Sequence, residues 1–118
     1  MATPAINDEV LTISTDNAND QISINYDTLR RAVLSLRAIN HQLRQDMIML
    51  LEEKGKMTVT EIYIKLRLEQ SVASQHLAIL RRAGILNTER DGKFIYYTIN
   101  KDRLKDISTF IDDLVNYQ

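Results

Sequence analysis

The chain has no cysteine among its 118 residues. That excludes disulfides, thiolate metal sites and cysteine redox sensing, and it suits a reducing compartment. Long apolar runs are missing too. None approaches the roughly 20 residues that a helix needs to span a bilayer. The opening MATPAINDEV has neither a basic stretch nor an apolar one, so no secretory signal is expected. The expected address is the cytoplasm, with no membrane contact. Histidine is scarce, at His41 and His76 only, and a metal site needs converging Cys, His or carboxylate ligands. The pairs Asp102/Asp106 and Asp112/Asp113 read as the solvent face of a terminal helix. No Ser/His/Asp grouping or glycine-rich phosphate loop is present, and the three glycines fall at helix ends and in a hairpin turn. The expectation is no metal, no cofactor and no enzyme.

What is present is unevenly charged. The net charge is −1, yet residues 1–24 hold Asp8, Glu9, Asp16 and Asp20 with no lysine or arginine. Residues 25–100 hold twelve Lys/Arg against eight Asp/Glu. The local field, more than the total, decides which partners are attracted. Residues 1–22 are polar and without sustained period, so they read as a flexible acidic arm, with at most a short strand near Ile22 and Ile24. Residues 23–118 read as one domain.

From Tyr26 a helical period begins, with Leu29, Val33 and Leu36 as its stripe and Asn25 or Asp27 as its cap. A second helix over about 41–54 turns Leu43, Met47, Leu50 and Leu51 inward and ends at Gly55. A short extended link leads to a third helix capped by Thr58 or Thr60, with Ile62, Leu66 and Tyr63 toward the core. A fourth helix, QSVASQHLAILRRAG, stops at Gly84. The period then changes from 3.6 to 2: ILNTER and KFIYYTIN flank Asp91-Gly92, the signal of a two-residue type I′ hairpin. That register pairs Arg90 with Lys93, Thr88 with Ile95 and Leu86 with Tyr97, and turns Ile95, Tyr97 and Ile99 to the core. A last helix follows Asn100, its stripe Leu104, Ile107, Ile111 and Leu114. Helices three and four make a helix-turn-helix and the hairpin a wing. The expected fold is an α+β winged helix-turn-helix.

On a helical wheel Gln70, Ser71, Ser74, Gln75, Arg81 and Arg82 share an arc of roughly 140° without one large apolar residue. Short donors and acceptors on a helix that fits the major groove are the chemistry of base reading, with Gln suited to adenine, and the first two turns of such a helix are the part aimed at bases. A merely solvated face would look similar. The surrounding motif favours DNA. His76, at about 240° on the same wheel, falls in the apolar arc and reads as a half-buried side chain bonded to backbone rather than a base contact. Arg90 and Lys93 at the wing tip suit phosphate or the minor groove, although two surface charges on a solvated turn would read alike.

The runs INHQLRQDMIMLLEEKG, TVTEIYIKLRLEQSVASQHLAILRRAGIL and RDGKFIYYTIN resemble the ArsR/SmtB family of bacterial winged-helix repressors. The most specific piece is Q-S-x-x-S-x-H-L, here Gln70, Ser71, Ser74, His76 and Leu77, and then Leu80 to Ile85. The resemblance covers about residues 25–118. It implies a homodimer built from the first and last helices, through Leu29, Val33, Leu36, Leu104, Ile107, Ile111 and Leu114. It implies repression from an inverted-repeat operator, with DNA contacts at Gln70, Ser71, Ser74, Gln75, Arg90 and Lys93; Arg81 and Arg82, by their place further along the helix, are expected to reach phosphate. Members that sense metal carry E-L-C-V-C in the third helix, where this chain has EIYIK with Tyr63 and Lys65. Others carry D-x-H in the last helix, where it has Asp102 and Leu104. The inorganic sensor is therefore expected to be absent, and the residues name no effector. Glu69 stands where the family usually has serine, so Ser71 is expected to cap the fourth helix instead. The rival reading is a winged-helix module that binds protein.

Overall fold

The computed structural model describes residues 9–117. They form β1 (Val10–Ser14), β2 (Gln21–Asn25), α1 (Tyr26–Ile39), α2 (Gln42–Lys54), β3 (Met57–Thr58), α3 (Val59–Lys65), α4 (Gln70–Arg82), β4 (Leu86–Asp91), β5 (Phe94–Ile99) and α5 (Lys101–Val115). The chain divides into two units, the first ending at Arg37 and the second beginning at Ala38.

In the first unit residues 1–8 of the expected arm lie outside the described residues. The rest of it forms an antiparallel hairpin in which Leu11 faces Ile24 and Ile13 faces Ile22. Alternation explains this: Leu11, Ile13, Ile22 and Ile24 share one face, while Thr12, Ser14, Gln21 and Ser23 take the other. Strand β2 runs straight into α1. Asn25 Oδ1 accepts from the Thr28 amide at 3.0 Å, an N-cap, and the Tyr26 amide donates to the Glu9 carbonyl at 2.6 Å. Asp27 pairs with Arg31 at 2.6 Å, which lowers its pKa. Among residues 9–37 none is buried.

The second unit holds the core. Ala38 in the last turn of α1, Met47, Leu50 and Leu51 of α2, Ile62 of α3, Ala73, Leu77 and Leu80 of α4, Ile85 and Leu86, Met57 and Ile107 are its buried apolar side chains. Each large one contributes about 1.5–3 kcal/mol against the entropy of ordering. Thr58 opens α3 with a capping box: its Oγ1 accepts from the Glu61 amide at 3.2 Å, and Glu61 Oε1 accepts from the Thr58 amide at 3.0 Å.

Helices α3 and α4 stop in the same way. At the end of α4 the Ile85 amide donates to Leu80 and the Gly84 amide to Arg81, a Schellman turn with Gly84 at φ 76°. At the end of α3 the Leu68 amide donates to Tyr63 and the Arg67 amide to Ile64, the same turn with Arg67 at φ 55°. Among the described residues Arg67 is the one non-glycine with positive φ.

The hairpin departs from the sequence-based register. Asp91 pairs with Phe94, Arg90 with Ile95, Thr88 with Tyr97 and Leu86 with Ile99. The turn therefore centres on Gly92 and Lys93. Positive φ occurs at Gly92 (63°) and not at Lys93, the requirement of type II′ and not of I′. A shift by two residues preserves facing, so Leu86 is buried and Tyr97 and Ile99 half-buried, but Ile95 lies too near the tip and stays exposed. The expected extended link becomes β3, which pairs Met57 with Tyr97 and Thr58 with Tyr96 and completes a sheet of order β3-β5-β4.

Thr58→Ala removes one half of the capping box and is expected to cost about 1 kcal/mol of stability, measured by urea denaturation.

Candidate nucleic-acid interface

Helix α4 is divided lengthwise. Ala73, Leu77 and Leu80 are fully buried, whereas Gln70, Ser71, Ser74, Gln75, Arg81 and Arg82 are exposed. The exposed residues form one face because spacings of three, four and seven return to the same side. The Arg82 Nε donates to the Ala78 carbonyl at 3.3 Å and so lies back along the helix. At the N-terminus Glu69 is the cap residue and its side chain makes no capping bond. Ser71, expected to cap, sits inside the first turn instead. Its hydroxyl is left for a partner.

His76 is half-buried, as its place on the wheel requires, but its partner is not backbone. Its Nδ1 lies 3.1 Å from Arg44 Nη1. A guanidinium can only donate, so Nδ1 accepts and carries no proton. Arg44 is buried and anchored by its Nε, which donates to the Ala38 carbonyl at 2.7 Å. The His41 ring is 4.8 Å from His76, and its own Nδ1 accepts from the Leu43 amide and caps α2. Sequence reasoning missed Arg44. It lies three residues before Met47 and seven before Leu51, on the apolar stripe, and that spacing was the available signal.

In the wing Arg90 and Lys93 are both exposed. They do not flank the turn as a pair: Lys93 is in it, with its Nζ 5.4 Å from the Phe94 ring centre, and the Arg90 Nε donates to the Gly92 carbonyl. Lys56, which carried no signal in the sequence, sits 3.6 Å from Glu89, 3.9 Å from Asp91 and over the Tyr96 ring at 4.7 Å. It offsets the two acids of the strand. These are exposed pairs, so their effect is on the local field more than on stability.

Of the residues expected in a dimer, Leu29, Val33, Ile111 and Leu114 are exposed, Leu36 and Leu104 half-buried, and Ile107 buried in its own unit. Phe110 and Val115 add further exposed apolar surface on α5.

A helix-turn-helix with one polar face, followed by a basic-tipped wing, is now placed, and the chain has known relatives. Residues 41–88 match the model of the bacterial regulatory protein arsR family. The transcriptional activator HlyU of Vibrio cholerae is 38% identical over 75 residues, 64% of this chain and 68% of the relative. The transcriptional repressor SdpR of Bacillus subtilis is 31% identical over 80 residues, 68% and 88% of the two chains. The crystal structure of the transcriptional repressor PagR of Bacillus anthracis superposes with a TM-score of 0.59 at 31% identity, covering 74% of this chain and 99% of that one.

The chain belongs to the ArsR family. It is a DNA-binding transcriptional regulator with a winged-helix fold. Among the described residues no group of three or more His, Asp or Glu could hold a metal ion, and no helix is long and apolar enough to cross a membrane.

Burial lowers the pKa of His76 from its ordinary 6.5, with the His41 and Arg44 charges acting in the same direction. The unfolded chain therefore binds this proton more tightly. The stability tied to the neutral ring is present above about pH 6.5 and is lost as pH falls through the lower folded value. The midpoint of thermal unfolding should drop between about pH 7 and 5.5. His76→Asn, which keeps an acceptor and cannot titrate, should flatten that dependence.

Proposed function

We propose that this ArsR-family regulator is a cytoplasmic repressor that binds an inverted-repeat operator as a homodimer, by binding alone and without catalysis. The observation that carries the reading is the clean division of α4. Gln70, Ser71, Ser74 and Gln75 stand exposed over its first two turns, and Ala73, Leu77 and Leu80 on the opposite side are fully buried. In this reading Gln75 and Gln70 read base edges, Ser71 and Ser74 hydrogen-bond beside them, and Arg81 and Arg82 take phosphates. Arg90 and Lys93 reach the backbone or the minor groove. A second copy covers the apolar residues that one chain leaves open or half-open: Leu29, Val33 and Leu36 on α1, and Leu104, Ile111 and Leu114 on α5, with Ile107 beneath. The two recognition helices then meet half-sites about one DNA turn apart. Named relatives include both repressors and an activator; a dimer seated on its operator favours repression by exclusion. The positions that hold metal in metal-sensing members carry Tyr63, Lys65 and Leu104 here, so the reading includes no metal and no cofactor.

The test is selection from a randomised duplex pool, followed by affinity for the enriched site at two salt concentrations. An enriched palindrome and a steep salt dependence are expected; no enrichment overturns the reading and favours a protein-binding module. Within the enriched site Gln75→Ala should cost about 1–3 kcal/mol at one base step. Lys93→Ala should weaken all sequences alike. For the assembly, sedimentation velocity should show a dimer that Leu114→Asp dissociates.

A further inference from the structure

Helices α3 and α4 end in the same Schellman turn, but with different residues in its left-handed position. Gly84 closes α4, as the geometry favours, because a side chain at φ near +60° crowds the following carbonyl. Arg67 closes α3 at φ 55°. Arginine gains nothing local there. It is exposed, and among the described residues its side chain has no hydrogen bond or ion pair. Its backbone does what glycine would do, since both turn bonds come from main-chain amides, Arg67 to Ile64 and Leu68 to Tyr63. A strained residue with no structural work for its side chain points to a role outside the chain. Its position says which. Arg67 lies in the turn of the helix-turn-helix, three residues before Gln70 at the start of α4. Between them stands Glu69, exposed and without a capping bond, a negative charge at the end of α4 that faces a polyanion in the reading above.

We propose that Arg67 is a phosphate contact: a backbone anchor that holds the start of α4 to duplex DNA, offsets Glu69 and carries no base preference. The inference rests on the DNA-binding reading and deepens it. An arginine in this turn adds a charge-assisted hydrogen bond to a phosphate oxygen and releases counterions on binding.

The experiment compares the chain with its Arg67→Gly and Arg67→Lys variants. Thermal unfolding is followed for all three, together with affinity for the enriched site and for a random duplex across a salt series. Arg67→Gly relieves the left-handed strain, so its midpoint should rise by a few degrees. Its affinity should fall in the same proportion for both duplexes, and the slope of log affinity against log salt should shrink by about one. Arg67→Lys should keep the slope. A glycine variant with unchanged slope overturns the proposal, as does one that weakens the enriched site alone. A wild-type chain that binds no duplex fails earlier, at the DNA-binding reading itself.

Discussion

Ala73, Leu77 and Leu80 are packed on one side of α4 with no accessible surface, and that burial decides what the helix can offer. Once the three are held against Ile62, Met47 and Leu51 in one core, rotation of α4 about its axis is costly, because it would expose leucine and bury serine and glutamine without partners. The glutamines and serines of the polar face are therefore held in a single orientation without bonds of their own. A reading head of unpartnered Gln and Ser works only on such a rigid support, since side chains that already pair within the protein have nothing to give to a base edge. The turn at Leu66–Leu68 sets the entry of this helix with main-chain bonds, and the turn at Ala83–Ile85 sets its exit with main-chain bonds joined by Arg103, whose Nε donates to the Ala83 carbonyl at 3.2 Å.

A polar cluster in the packed region serves the same end. Arg44 is buried on α2, ties back to the Ala38 carbonyl and meets His76 on the inner flank of α4. A charge removed from water is tolerated only with its hydrogen bonds made, and among the described residues no buried side-chain nitrogen or oxygen lacks a partner. The bond is directional in a way that leucine packing is not, so it adds a register to the α2–α4 contact. His76, beside Gln75 in the chain, is a structural neighbour of the reading face and takes its place on the opposite flank.

Local order was legible and non-local pairing was not. Asn25, Thr58 and Asn100 could be named as cap candidates because a cap is a contact over two or three residues. The wheel for α4 needed only the helical period. The hairpin was recognised from Asp91-Gly92, but its register was placed two residues off, since the turn type follows from how the strands twist together and from the third strand that binds β5. That strand, Met57–Thr58, was legible only as an extended link: two residues have no period, and their partners Tyr96 and Tyr97 lie nearly forty positions on. The hairpin of residues 10–25 went largely unread for a related reason. Its apolar residues alternate, but Thr, Asn, Asp and Ser between them lower the contrast with a polar tail.

By itself the sequence determined the order of the five helices and the wing hairpin, the split of α4 into a polar and an apolar face, and the absence of cysteine and of any histidine beyond His76. These depend on residue type and on spacing within one element, which the chain states directly. Only the tertiary structure decided that Arg44 and His76 meet, that Lys56 offsets the acids of the wing, that Lys93 sits in the turn and Arg90 does not oppose it, and that an arginine occupies a glycine's conformation at Arg67. Each depends on where separate elements come to rest or on a single backbone angle, and neither is written in the identity of the residues involved.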